Sequence, residues 1–150
     1  MKVLSFCLSL VLAGTNALAY ADTNCKPTTQ AEIAGLFDRW NASLQTGDPA
    51  KVAANYAQGS LLLPTLSNKP RLTQAEKIDY FEHFLVKKPV GQIDQRVVSI
   101  GCNSALDSGL YTFRFGDGSL AHARYTFTYD YDGKQWLITS HHSSLMPEKR

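Results

Sequence analysis

The chain has 150 residues, 15 Lys plus Arg against 13 Asp plus Glu, and three cysteines. A formal net charge of +2 gives no electrostatic case for a nucleic-acid partner or an anionic membrane. The cysteines form no cluster able to hold zinc or an iron–sulfur centre, and no other cofactor signature is present.

The first segment, MKVLSFCLSLVLAGTNALAYA, carries Lys2, an apolar run from Val3 to Leu12 and small residues ending in Ala19-Tyr20-Ala21. That order is the pattern of a secretory signal peptide, and it predicts cleavage after Ala21 and a periplasmic or secreted protein. The apolar run is shorter than the roughly 20 residues a membrane span needs. Residues 22–150 then form one domain with 14 basic and 13 acidic side chains, and no membrane association is expected once the leader is gone. Two cysteines remain, Cys25 and Cys102, which either pair as a disulfide or stay as buried thiols.

Thr29 with Glu32 makes a capping box, and Ile33, Leu36, Phe37, Trp40 and Leu44 recur at helical spacing, so residues 28–47 read as a long helix ended by Gly47. Asp48-Pro49 opens a short helix carrying Val52, Ala53 and Tyr56. Leu61–Pro64 reads as a brief strand. A second capping box, Thr73 with Glu76, starts a helix through Ile78, Phe81, Phe84 and Leu85. From Gln92 the period changes to two, predicting strands near 92–101, 105–115, 120–131 and 135–144. Helices followed by an antiparallel meander predict an α+β fold with the helices on one face of a curved sheet.

This order, together with the stretches LQTGD (44–48), FEHFL (81–85), DGKQW (132–136) and HSSLMP (142–147), resembles the association (hub) domain family of calcium/calmodulin-dependent protein kinase II. More narrowly it resembles the family's free-standing bacterial members of SgcJ/EcaC type, within the cone-shaped nuclear transport factor 2-like and SnoaL-like superfamily. The likeness spans about residues 30–147. It implies a cone fold, oligomerisation, and a pocket in which basic and aromatic side chains hold a small carboxylate. Kinase Gly-rich, HRD and DFG motifs are absent, so the resemblance is to the hub alone. Ser143 stands where the hub has an arginine, which leaves the ligand class open.

In ARYTFTYDY, Arg124, Thr126, Thr128 and Asp130 share one face and Tyr125, Phe127, Tyr129 and Tyr131 the other. An aromatic face this dense requires cover, as does the helix stripe, and two apolar surfaces on one sheet would explain a homodimer built sheet to sheet. His141 and His142 are strand neighbours and point to opposite faces, so they cannot readily chelate one metal, and neither His83 nor His122 is spaced to complete a site. A hydrolase reading of His142 with Ser143 or Ser144 lacks the GxSxG elbow. Strict alternation places His142 with Trp136, Ile138, Ser140 and Ser144, facing the cone. Arg124, His142, Trp40, Tyr56, Thr126 and Ser144 are therefore the expected ligand-binding residues, with Arg124 offering a fork to a carboxylate. Two classes of function remain: a non-catalytic homodimer binding a small anion, or a SnoaL or ketosteroid-isomerase-like enzyme. In the latter His142 would be the base, Tyr56 or Tyr80 the donor, and Asp38 and Asp107 weaker candidates. A partner-binding subunit is the third reading.

Overall fold

In the computed structural model the described residues are 25–65 and 67–148, so the expected leader lies outside them. The chain forms α1 (Gln30–Leu44), α2 (Pro49–Ala53), β1 (Tyr56–Leu63), α3 (Gln74–Leu85), β2 (Val90–Ile100), β3 (Ser104–Arg114), β4 (Leu120–Tyr131) and β5 (Trp136–Leu145). Both capping boxes are made: Thr29 and Thr73 accept from the backbone N–H of Glu32 and Glu76, whose carboxylates bond back to the cap N–H groups. The bonds from the Thr73 and Leu72 amides, with Lys69 beyond, hold the Glu76 carboxyl down at about 2. Asp48 caps α2 by accepting from the Ala50 and Lys51 amides.

The sheet runs β1-β5-β4-β3-β2. Strands β2 to β5 are the expected antiparallel meander, but β1 pairs parallel to β5, so the sheet is mixed and five-stranded. Tyr56 opens β1; the expectation that it belongs to the second helix is corrected. The cause is the Asn55 hub, in which the Asn55 carbonyl accepts from the Ile138 amide while its side chain bonds Ser43, Lys51 and Val52 and accepts from Arg39. Arg39 also donates to the Trp136 carbonyl at 2.6 Å, fixing the start of β5 against α1.

The aromatic face of β3 and β4 and the stripe of α1 do not need separate covers, because they cover each other. Phe37 packs its ring 6.4 Å from Tyr111 and 6.3 Å from Phe127, and Trp40 sits 5.6 Å from Phe127. Each such ring buried contributes about 1.5–3 kcal/mol by area. The aromatic face is therefore covered within one chain and gives no reason for a sheet-to-sheet dimer. The sheet's outer face carries Thr, Ser, Arg and His with scattered apolar residues such as the exposed Val97 and Leu120.

Two glycines permit close approaches. A Cβ on Gly91 would meet Phe37 at 3.0 Å, and the Asn41 amide pairs with both backbone groups of Gly91 at 2.9 Å. Gly109 faces the β2 bulge between Ile93 and Gln95, where a Cβ would stand 1.9 Å from the Gln95 carbonyl oxygen. Cys25 and Cys102 form a disulfide that ties the N-terminal segment to the β2–β3 turn, and the Lys26 amide donates to the Asn103 side chain at 2.7 Å beside it.

Candidate functional site

The site begins with one extra residue in β5. The β4–β5 register shifts between Thr128 and Tyr129: Ser140 pairs with Thr128 and Ile138 with Tyr129, so Thr139 has no partner of its own. The Thr128 and Thr139 hydroxyls lie 2.8 Å apart on the outer side. Such a bulge reverses the facing of every residue beyond it. His141 consequently turns inward, with 4% of its surface exposed, while His142 is exposed on the outer face. The expectation that His142 lines the cone is corrected, and with it the basis for His142 as a pocket base. Arg124, Thr126 and Ser144 go with it: Arg124 pairs in register with Ser144 and Thr126 with His142, all on the side away from the helices. Of the expected ligand residues, Trp40 lines the inner cavity and Tyr56 lies behind its floor.

That cavity has a volume of about 280 Å³ and lies between α3 and the inner face of the sheet. Tyr80, Phe81 and Phe84 of α3 form one wall; Phe113, Phe115 and Ala123 form the other. Its surface is mostly apolar, His83 of α3 and Lys87 just beyond the helix end contribute exposed polar lining, and no carboxylate among the described residues takes part. The Lys87 ammonium stands 5.7 Å above the Phe115 ring. Burial pushes the Tyr80 phenol up to about 12, with Arg71 pulling the other way.

Two polar groups interrupt the apolar lining. In the first, Tyr111 donates to Ser143 Oγ, which also bonds the Thr65 hydroxyl. Three hydroxyls share two bonds, so one proton of the Ser143–Thr65 pair is left over. In the second, Trp40 Nε1 donates to the Tyr56 hydroxyl at 3.2 Å and that hydroxyl meets His141 Nδ1 at 2.8 Å. The imidazole stacks on Phe127 at 4.0 Å, and its Nε2 is buried without a hydrogen-bond partner. Burial, with His142 adding a little, holds the His141 pKa down at about 3.

Two further polar groups are buried, of which the sequence pattern did not single out Lys77. Lys77 is fully buried and donates to the Ser60 and Leu72 carbonyls at 2.7 and 3.0 Å; burial lowers its pKa. Its place one turn before Phe81 on the α3 stripe was the available signal. Asp107, a weaker sequence candidate, is fully buried beyond the cavity and accepts from Tyr125 at 2.8 Å and Arg96 at 3.1 Å. Burial raises its pKa, and the Tyr125 and Arg96 bonds offset only part of that. Asp38 is exposed on α1. Among the described residues no group of three or more His, Cys, Asp or Glu is arranged to hold a metal, and no helix is long and apolar enough to cross a membrane.

Helices packed on a curved sheet with a cavity between them define an α+β cone of nuclear transport factor 2-like, or cystatin-like, type. The calcium/calmodulin dependent protein kinase II association domain matches residues 29–147, and the chain belongs to that family. A Xanthomonas campestris structure described as such a domain is 46% identical, with 85% of this chain and 98% of that one covered and a TM-score of 0.76. A nuclear transport factor 2-like protein from Pseudomonas putida KT2440 shares the fold at 21% identity and TM-score 0.69, covering 80% of this chain and 95% of its own. So does a Streptomyces avermitilis member of the nuclear transport factor 2-like family, offered as a dehydratase, at 13% identity and TM-score 0.68, with 81% and 100% covered. No curated relative matches the chain.

Proposed function

We propose that this protein is an exported, homo-oligomeric association-domain protein whose inner cavity binds a small ligand with an apolar body and an acidic end. The observation that carries the reading is the cavity itself. Its aromatic walls suit an apolar body, and its exposed Lys87 ammonium, with the His83 imidazole beside the opening, suits an acid held there. This reading moves the anion-binding role from Arg124 to the α3 rim. Export is supported by the leader pattern and by the Cys25–Cys102 disulfide, which persists in oxidising compartments. Association of copies is supported by the family, and the outer sheet face is the surface we assign to it.

The proton-transfer alternative has less support. Among the described residues no carboxylate lines the cavity, and a histidine held near pKa 3 is a weak base at neutral pH. The test is native mass spectrometry of the mature protein. A dimer that carries a small-molecule mass, lost in Ala123→Phe, agrees with the reading. A monomer sinks the oligomer. A dimer whose retained mass survives the cavity-filling substitution places that ligand elsewhere.

A further inference from the structure

Deep in the cavity wall, the Nε2 of His141 is buried without a hydrogen-bond partner. Trp40 Nε1–H can only donate, so the Tyr56 oxygen accepts from it. The Tyr56 hydroxyl then keeps one proton, and the acceptor placed for it is His141 Nδ1, 2.8 Å away. In the opposite tautomer His141 Nδ1–H would donate to Tyr56, and the phenol proton, buried with Tyr56 at 2% exposure, would have no acceptor. Each tautomer leaves one buried donor unmade, Nε2–H in the first and the phenol O–H in the second, but the second also strands Nε2 as a buried acceptor, and that extra cost of about 1–3 kcal/mol decides the direction of the chain. The ring is neutral, so its single proton resides on Nε2. Phe127 covers one face of the ring and Trp40 meets it edge-on at 5.4 Å. Nδ1 is occupied, and His141 is part of the cavity lining.

We propose that the buried His141 Nε2–H becomes a hydrogen-bond donor for a carbonyl oxygen on the apolar part of the ligand as the entering ligand displaces the side chains that cover it, with Tyr56 and Trp40 as the residues that position its proton. The inference rests on the small-ligand reading above and adds the chemistry of the ligand's buried end. A carboxylate is disfavoured there, because the cavity's lysine, Lys87, is on the rim and a buried unpaired charge is costly. A ketone, ester or amide oxygen needs only one donor and brings no charge. An aryl or alkyl carbonyl compound is therefore the class that fits, its acidic end, where it has one, toward Lys87.

The test uses acetophenone and α-methylstyrene, which differ by the replacement of C=O with C=CH2. Both are titrated into the wild-type protein and His141→Phe, following the fluorescence of Trp40 and Trp136. The ratio of acetophenone to α-methylstyrene affinity is expected to fall about tenfold in the variant, which equals about 1.4 kcal/mol for one hydrogen bond. An unchanged ratio with both compounds bound overturns the donor role and leaves the cavity reading intact. Binding of neither compound to the wild type overturns the cavity reading and this inference together. Independently of the variant's folding, the ring nitrogen resonances of wild-type His141 at neutral pH should show the proton on Nε2. A proton on Nδ1 overturns the assignment.

Discussion

His141 couples the stability of the fold to pH, and the size of the effect follows from its burial. The unfolded chain takes up a proton below the ordinary histidine pKa of 6.5, whereas the folded state keeps the ring neutral down to about 3. The folded pKa is lowered, so the native state binds fewer protons in this window. Stability is therefore fully present above pH 6.5 and is lost as pH falls toward 3. At pH 5 the linkage removes about 2 kcal/mol relative to pH 8. With a urea m-value of about 1.5–2 kcal/mol/M, the midpoint should drop by about 1 M. The comparison is with Tyr56→Phe/His141→Phe, which removes the imidazole and the phenol it would orphan, and keeps the stacking on Phe127. Other titrating groups remain in both proteins, including His142, Lys77 near Tyr56, and Asp107, whose raised pKa acts in the opposite sense. Urea unfolding at pH 8 and pH 5 measures the difference. If wild type and variant lose the same midpoint between the two pH values, the imidazole titrates alike in the folded and unfolded chains, and the reasoning is refuted.

Reducing the disulfide frees two residues separated by 77 positions, which on the chain-entropy account costs about 4–5 kcal/mol and lowers Tm by about 15 °C. Circular-dichroism melts with and without reductant, after thiol titration confirms two free cysteines, check this; coincident curves would show that the cross-link does not constrain the unfolded chain. Gly109→Ala forces a Cβ against the Gln95 carbonyl and should cost about 3 kcal/mol or more. Gly35→Ala, on the exposed side of α1 with open space around it, should instead stabilise by about 0.5–1 kcal/mol. Urea midpoints of the two variants should move in opposite directions, and a shared direction would refute the reading of the β2 bulge.

The helices were legible because their signals are local. Thr29 with Glu32 and Thr73 with Glu76 announce two N-termini within four residues, and the Ile33-to-Leu44 stripe declares which side is buried. Alternation in β4 likewise separated Arg124 and Thr126 from Tyr125 and Phe127, and that separation holds. The site was not legible in the same way. Alternation assumes an unbroken strand, and Thr139 breaks it: one inserted residue moved His142 outward and brought His141 and Ser143 to the cavity lining. Nothing in WLITSHHSSL marks the insertion, since a bulge is defined by the partner strand, here Thr128 and Tyr129.

By itself the sequence determined the class of fold, the two capped helices, the aromatic face and the pair of cysteines available for bonding, because propensity, capping and periodicity act over a few residues. The tertiary structure alone decided that β1 lies parallel to β5, that the aromatic face closes on the α1 stripe, and that Cys25 reaches Cys102. It also chose which of two adjacent histidines faces the cavity between α3 and the sheet. Each of these depends on register between segments distant in the chain, and register is set by packing, which no single strand encodes.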